Sequence, residues 1–135
     1  MVFAAGGILD AGSPGAVPVW GEIAVIFLFG PLYSGKRELA MELLRCDAAE
    51  LARRAVWDVQ DLAAKSGDLP ALAEELAKYD VVIATEVGGG VVPVSPDERA
   101  AREAAGRLNC LLAQRAETVA RVFCGIPMVL KGELP

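Results

Sequence analysis

Gly30-Pro31-Leu32-Tyr33-Ser34-Gly35-Lys36 carries the spacing G-x-x-x-x-G-K, which suits the capture of a phosphate. Gly30 lets the chain leave a strand, and Gly35 permits a backbone conformation that other residues resist. Such a loop turns its N–H groups inward on an anion, beside the positive end of the helix that follows. Lys36 then neutralises the outer phosphates. Arg37 stands where a Ser or Thr would offer Mg²⁺ a hydroxyl. An arginine is no metal ligand, so a cation must be held otherwise, weakly, or not at all. Its guanidinium suits direct contact with a phosphate instead.

Two acidic residues are candidates to face this loop. Glu86 lies just beyond the apolar stretch Val81–Thr85, where open α/β sheets place ligand-contacting residues. If that stretch neighbours the strand before the loop, the carboxylate stands near the phosphates and orients Mg²⁺ or a water. The alternative is an exposed loop carboxylate. Asp58 is a weaker candidate of the same kind, following a short Ala55-Val56-Trp57 stretch. Gly88-Gly89-Gly90 either admits backbone to a ligand or forms a mobile loop. Asp97, Glu98, Arg99, Arg102, Glu103 and Arg107 read as a solvated helix face of mixed sign. Trp20 and Trp57 read as packing residues.

These residues need a frame. Residues 23–29 are continuously apolar, as in a strand covered on both faces. Val81–Thr85 is a second such strand, and residues 119–124 a third, stopped by Gly125 and Pro127. Ala55-Val56-Trp57 makes a doubtful fourth. Helices are expected over 36–45, from the Asp47/Glu50 capping pair onward, over 59–64, and over 69–77, where apolar residues recur at i, i+3, i+4 and i+7. Ser95-Pro96-Asp97-Glu98 combines a cap, Pro at the first position and Glu three residues on, which starts a helix running to about residue 118. Strands alternating with helices imply an α/β domain with a mainly parallel sheet and helices on both faces. So narrow a sheet needs its edges covered, by another copy of the chain or by the N-terminal segment. Residues 1–22 are rich in Gly and Pro without period and are read as a flexible extension to a domain over 23–135.

The chain has 135 residues and a net charge of −5. That charge argues against nucleic acid or an anionic membrane surface as the main partner, while leaving room for one phosphate held by backbone. No apolar run reaches the roughly 18 residues of a membrane helix. Cys46, Cys110 and Cys124 show no metal-ligand spacing, and an odd count without a secretion signal fits the cytoplasm. There is no histidine, which excludes a Ser-His triad, a histidine base and a phosphohistidine from this sequence.

Thr85-Glu86-Val87-Gly88-Gly89-Gly90-Val91-Val92-Pro93, then Arg102, Gly106-Arg107-Leu108-Asn109, and then Val122-Phe123-Cys124-Gly125-Ile126 with Lys131 resemble the adenosylcobinamide kinase / adenosylcobinamide-phosphate guanylyltransferase family of cobalamin biosynthesis. Its blocks are N-E-V-G-x-G-I-V-P, A/T-G-R-x-N and a final S-G-I/L-x-x-x-x-K. Gly30, Ser34, Gly35 and Lys36 are similar to its phosphate loop. The resemblance implies a P-loop NTPase-like three-layer sandwich and an ATP- or GTP-dependent transferase. It also implies a cobinamide corrinoid as acceptor, a tendency to form trimers, and a second step passing GMP through a guanylylated histidine. Pro31, Tyr33 and Arg37 replace the family's Gly, Arg and Ser, residues 47–79 are shorter than in full-length enzymes, and the histidine is missing. The reading is a shortened member with kinase-like phosphoryl transfer, in which residues 30–37 hold the nucleotide, Lys36 and Glu86 act in catalysis and Mg²⁺ lacks its usual loop hydroxyl. The rival is a nucleotide- or corrinoid-binding partner protein without catalysis.

Overall fold

The computed structural model describes residues 25–87 and 95–135. The extension over 1–22, the first residues of the expected first strand, and the loop from Gly88 through Pro93 lie outside the described residues.

Among the described residues, five strands form one sheet in the order β2-β3-β1-β4-β5: β1 (Ile26–Gly30), β2 (Ala55–Val56), β3 (Val81–Thr85), β4 (Thr118–Phe123) and β5 (Ile126–Lys131). The first four are parallel and β5 runs antiparallel to β4. The helices are α1 (Lys36–Leu44), α2 (Ala48–Arg54), α3 (Gln60–Ala63), α4 (Leu69–Leu76) and α5 (Pro96–Arg115). β1 lies at the centre, with Phe27 paired to Val82 and Val119, and Leu28 paired to Ile83 and Ala120.

The unbroken apolar runs of β1 and β3 follow from this position. Phe27, Val82 and Val119 pack on one face against Ala63, Leu76, Leu108 and Leu112 of α3, α4 and α5. Ile26, Leu28, Ile83 and Val122 pack on the other against Leu39, Ala40 and Leu51 of α1 and α2. Side chains alternate in direction along a strand, so a strand between two helical layers needs apolar residues at every position.

Local chemistry sets the helix starts. Asp47 accepts from the N–H of Glu50 at 2.9 Å, Asp68 from that of Ala71 at 3.1 Å, and Ser95 from those of Asp97 and Glu98 at 3.1 and 3.3 Å. Each satisfies first-turn donors that the helix itself cannot.

The C-terminal end differs from the sequence expectation. α5 stops at Arg115 rather than near residue 118, and Thr118 already belongs to β4. Gly125 and Pro127 do not end the sheet. Cys124 and Gly125 take positive φ values of 54° and 74°, the pattern of a two-residue hairpin turn, and β5 follows. Pro127 is accepted because β5 is an edge strand, where an N–H can be spared. Ile126, Met128, Val129 and Leu130 of β5 are exposed, as is Phe123. Among the described residues no helix is long and apolar enough to cross a membrane.

Candidate functional site

The loop of residues 30–36 leaves the C-terminal end of β1 and enters α1, and backbone contacts from both neighbouring strands hold it. The N–H of Glu86, just past β3, donates to the Gly30 carbonyl at 2.8 Å. The N–H of Gly125, in the β4–β5 turn, donates to the Ser34 carbonyl at 2.7 Å. Gly30 is required by space, because a Cβ there would collide with the Val122 carbonyl oxygen. Gly35 is required by conformation, with φ at +87°. Tyr33 also takes a positive φ, 60°, and its side chain stands in solvent at the loop's apex.

Lys36 folds back into the loop it closes. Its ammonium donates to the carbonyls of Pro31 (2.6 Å) and Gly30 (3.2 Å) and to the Ser34 hydroxyl (3.3 Å). Lys36 is 7% exposed, and burial pushes its pKa below the ordinary lysine value; the charges of Asp58 and, after it, Glu86 act in the opposite sense. The N-terminus of α1 has no side-chain cap, in contrast to α2, α4 and α5. Its first-turn N–H groups are therefore left to whatever the cavity holds.

That cavity has a volume of about 400 Å³ and is lined by residues 32–38 together with Trp57, Asp58, Ile83 and Thr85. Of the predicted loop residues, Leu32, Tyr33, Ser34, Gly35, Lys36 and Arg37 face it, while Gly30 and Pro31 lie behind as supports and acceptors for Lys36. Arg37 is stacked, its guanidinium carbon 5.3 Å from the centre of the Trp57 ring. Trp57 packs against the core on the α1–α2 face, as read from sequence, and is also a wall of the cavity.

The two acidic candidates have different surroundings. Glu86 is not among the cavity walls. Its carboxylate is gripped by Arg121 of β4, Nε to Oε2 at 2.5 Å and Nη2 to Oε1 at 2.9 Å. The Arg121 hydrogen bonds hold the Glu86 pKa below the ordinary carboxylate value against the effect of burial. Arg121 also lies over the Phe123 ring at 5.3 Å. The signal for it was an arginine within an otherwise apolar strand. Asp58 does line the cavity. It sits at a positive φ of 57° and accepts a hydrogen bond from the Thr85 hydroxyl at 3.3 Å. Among the described residues there is no cluster of three Cys, Asp or Glu side chains able to hold a metal. Lys131 lies apart from the loop, where its ammonium donates to the Ala113 and Gln114 carbonyls and closes the end of α5.

A lysine held on loop carbonyls, an uncapped helix start and the cavity beside them can receive an anionic group of phosphate size. Comparison with known proteins bears on the rest of the chain. The family model described as cobinamide kinase / cobinamide phosphate guanyltransferase matches residues 48–130, beginning after the loop. The bifunctional adenosylcobalamin biosynthesis protein CobP of Pseudomonas aeruginosa is 39% identical over 70 residues, a stretch equal to 50% of this chain and 40% of that protein.

Proposed function

The chain belongs to the cobinamide kinase / cobinamide phosphate guanyltransferase family, and we propose that it binds ATP or GTP at residues 30–37 and transfers a phosphoryl group to a cobinamide hydroxyl in the cytoplasm. The observation that carries this reading is the buried Lys36 ammonium, held on loop carbonyls beside an uncapped helix start and a cavity of about 400 Å³. Displaced from those carbonyls by a triphosphate, the ammonium offsets charge on the transferring group, and the α1 N–H groups share that task. Glu86, fastened to Arg121, then serves by keeping β3, β4 and the loop in register and by its field at Lys36. Guanylyl transfer through a histidine has no residue to use in this chain.

The second reading is nucleotide binding without turnover. It is favoured by Arg37, which occupies the position of the usual hydroxyl and is stacked on Trp57. Calorimetric titration with ATP and with GTP, followed by addition of cobinamide, separates the two. Saturable binding and phosphate transfer support the kinase, and binding with no transfer supports the second reading. If neither nucleotide binds, both fail. The exposed apolar edge of β5 further supports self-association, to be checked by light scattering on the eluting peak.

A further inference from the structure

A phosphate loop ordinarily takes its polyphosphate together with a divalent cation, and the residue after the loop lysine lends that cation a hydroxyl. In this chain that residue is Arg37, whose guanidinium has no lone pair to offer. A divalent cation brought there meets a positive charge where it should find an oxygen. Glu86 does not make up the loss, since it is not a cavity wall and both of its oxygens are on Arg121.

The charge of the cavity points the same way. Its charged walls are Lys36, Arg37, Glu38 and Asp58, two of each sign. With a hydroxyl in place of Arg37 the balance would be negative, and a polyphosphate would need a cation to enter. Arg37 removes that imbalance from within the chain. Burial and, after it, the charge of Arg37 lower the Lys36 pKa, so the two cations oppose each other across one cavity. An anion between them relieves that opposition.

Arg37 is also placed for the task. Its guanidinium carbon lies 5.3 Å from the centre of the Trp57 ring, and no hydrogen bond or ion pair engages it among the described residues. A ring face steadies a guanidinium without taking its in-plane N–H groups. Those are left for phosphate oxygens, which a guanidinium can bind two at a time.

We infer that Arg37 takes the place of the divalent cation in nucleotide capture, so that the site accepts the metal-free polyphosphate, with Trp57 as the positioning residue that holds the guanidinium. This rests on the reading of the cavity as a nucleotide site, with or without turnover.

The test uses the full chain and non-hydrolysable ATP and GTP analogues, titrated calorimetrically once in chelator and once with excess Mg²⁺. Wild type should bind at least as tightly in chelator as with Mg²⁺. Arg37→Ser, which supplies the hydroxyl, should lose about tenfold in chelator and recover it with Mg²⁺. Trp57→Leu should shift the ratio of the two affinities in the same direction by about threefold, and Trp57→Phe, which keeps a ring, should not. Arg37 is exposed, so Arg37→Ser should leave urea unfolding unchanged. Wild-type binding strengthened by Mg²⁺, or an Arg37→Ser ratio equal to that of wild type, overturns the proposal and leaves the nucleotide reading standing. Binding of neither analogue under either condition overturns that reading, and the proposal with it.

Discussion

Glu86 and Asp58 both lie just beyond the ends of strands on one side of β1, after β3 and β2, and the chain treats them in opposite ways. Beyond β3, Glu86 is closed by a two-point grip from Arg121 of β4, while its own N–H holds the Gly30 carbonyl. On the β2 side Asp58 is steadied by one hydroxyl and shares a cavity with Lys36. A carboxylate whose charge is already met keeps strands in place. One whose charge is open is available to a ligand. On the function proposed above, Glu86 belongs to the loop's supporting side and Asp58, with Lys36, to its chemical side. Position beyond a strand end does not by itself distinguish the two. Both residues satisfy it, and only the partner across the sheet tells them apart.

The contrast can be broken. The largest effect should come from Lys36→Ala, which removes the charged donor of the chemical side. Nucleotide affinity should fall by roughly 100-fold, about 3 kcal/mol for charge-assisted contacts, with the fold retained by circular dichroism. Retained affinity would dissolve the distinction altogether. Next, Gly30→Ala strikes the supporting side, because its Cβ meets the Val122 carbonyl oxygen. Urea unfolding should register a loss of about 2 kcal/mol from this overpacking. Ser95→Ala is a control remote from both sides; losing its two cap bonds should cost about 1 kcal/mol and leave nucleotide affinity alone.

The smallest effect is a change of pH profile. The Glu86 pKa is depressed in the fold, so the stability it brings is complete above the unfolded carboxylate pKa. That stability fades as pH falls through the folded value. Glu86→Gln should thus unfold somewhat more easily at neutral pH and show a shallower acid-side decline. Equal acid-side curves for the two proteins would mean that the Arg121 grip contributes nothing to stability.

What could be read ahead of the structure was local. β1 and β3 announced themselves as unbroken apolar runs, and the starts of α2 and α5 as capping patterns, because each depends on residues a few positions apart. The loop's spacing likewise lies within one stretch. What escaped was decided at a distance. β5 was hidden because Pro127 looks like a stop until the strand is known to be an edge. Arg121 was invisible as a partner because its carboxylate lies on another strand. Trp57 does pack, as read, but nothing local showed that Arg37 would cover it.

The bond from Gly125 to Ser34 has a consequence for the order of folding. The cradle's sequence is continuous, yet its position is fastened by a turn near the other end of the chain. Contacts of such wide separation form late, since a long loop must be closed before they contribute. The glycine loop and α1 can therefore be made early without being competent, and competence arrives when the last hairpin docks. In refolding, formation of α1 should precede capture of nucleotide. A stopped-flow experiment in which both appear with one rate would place the hairpin within the first cooperative step.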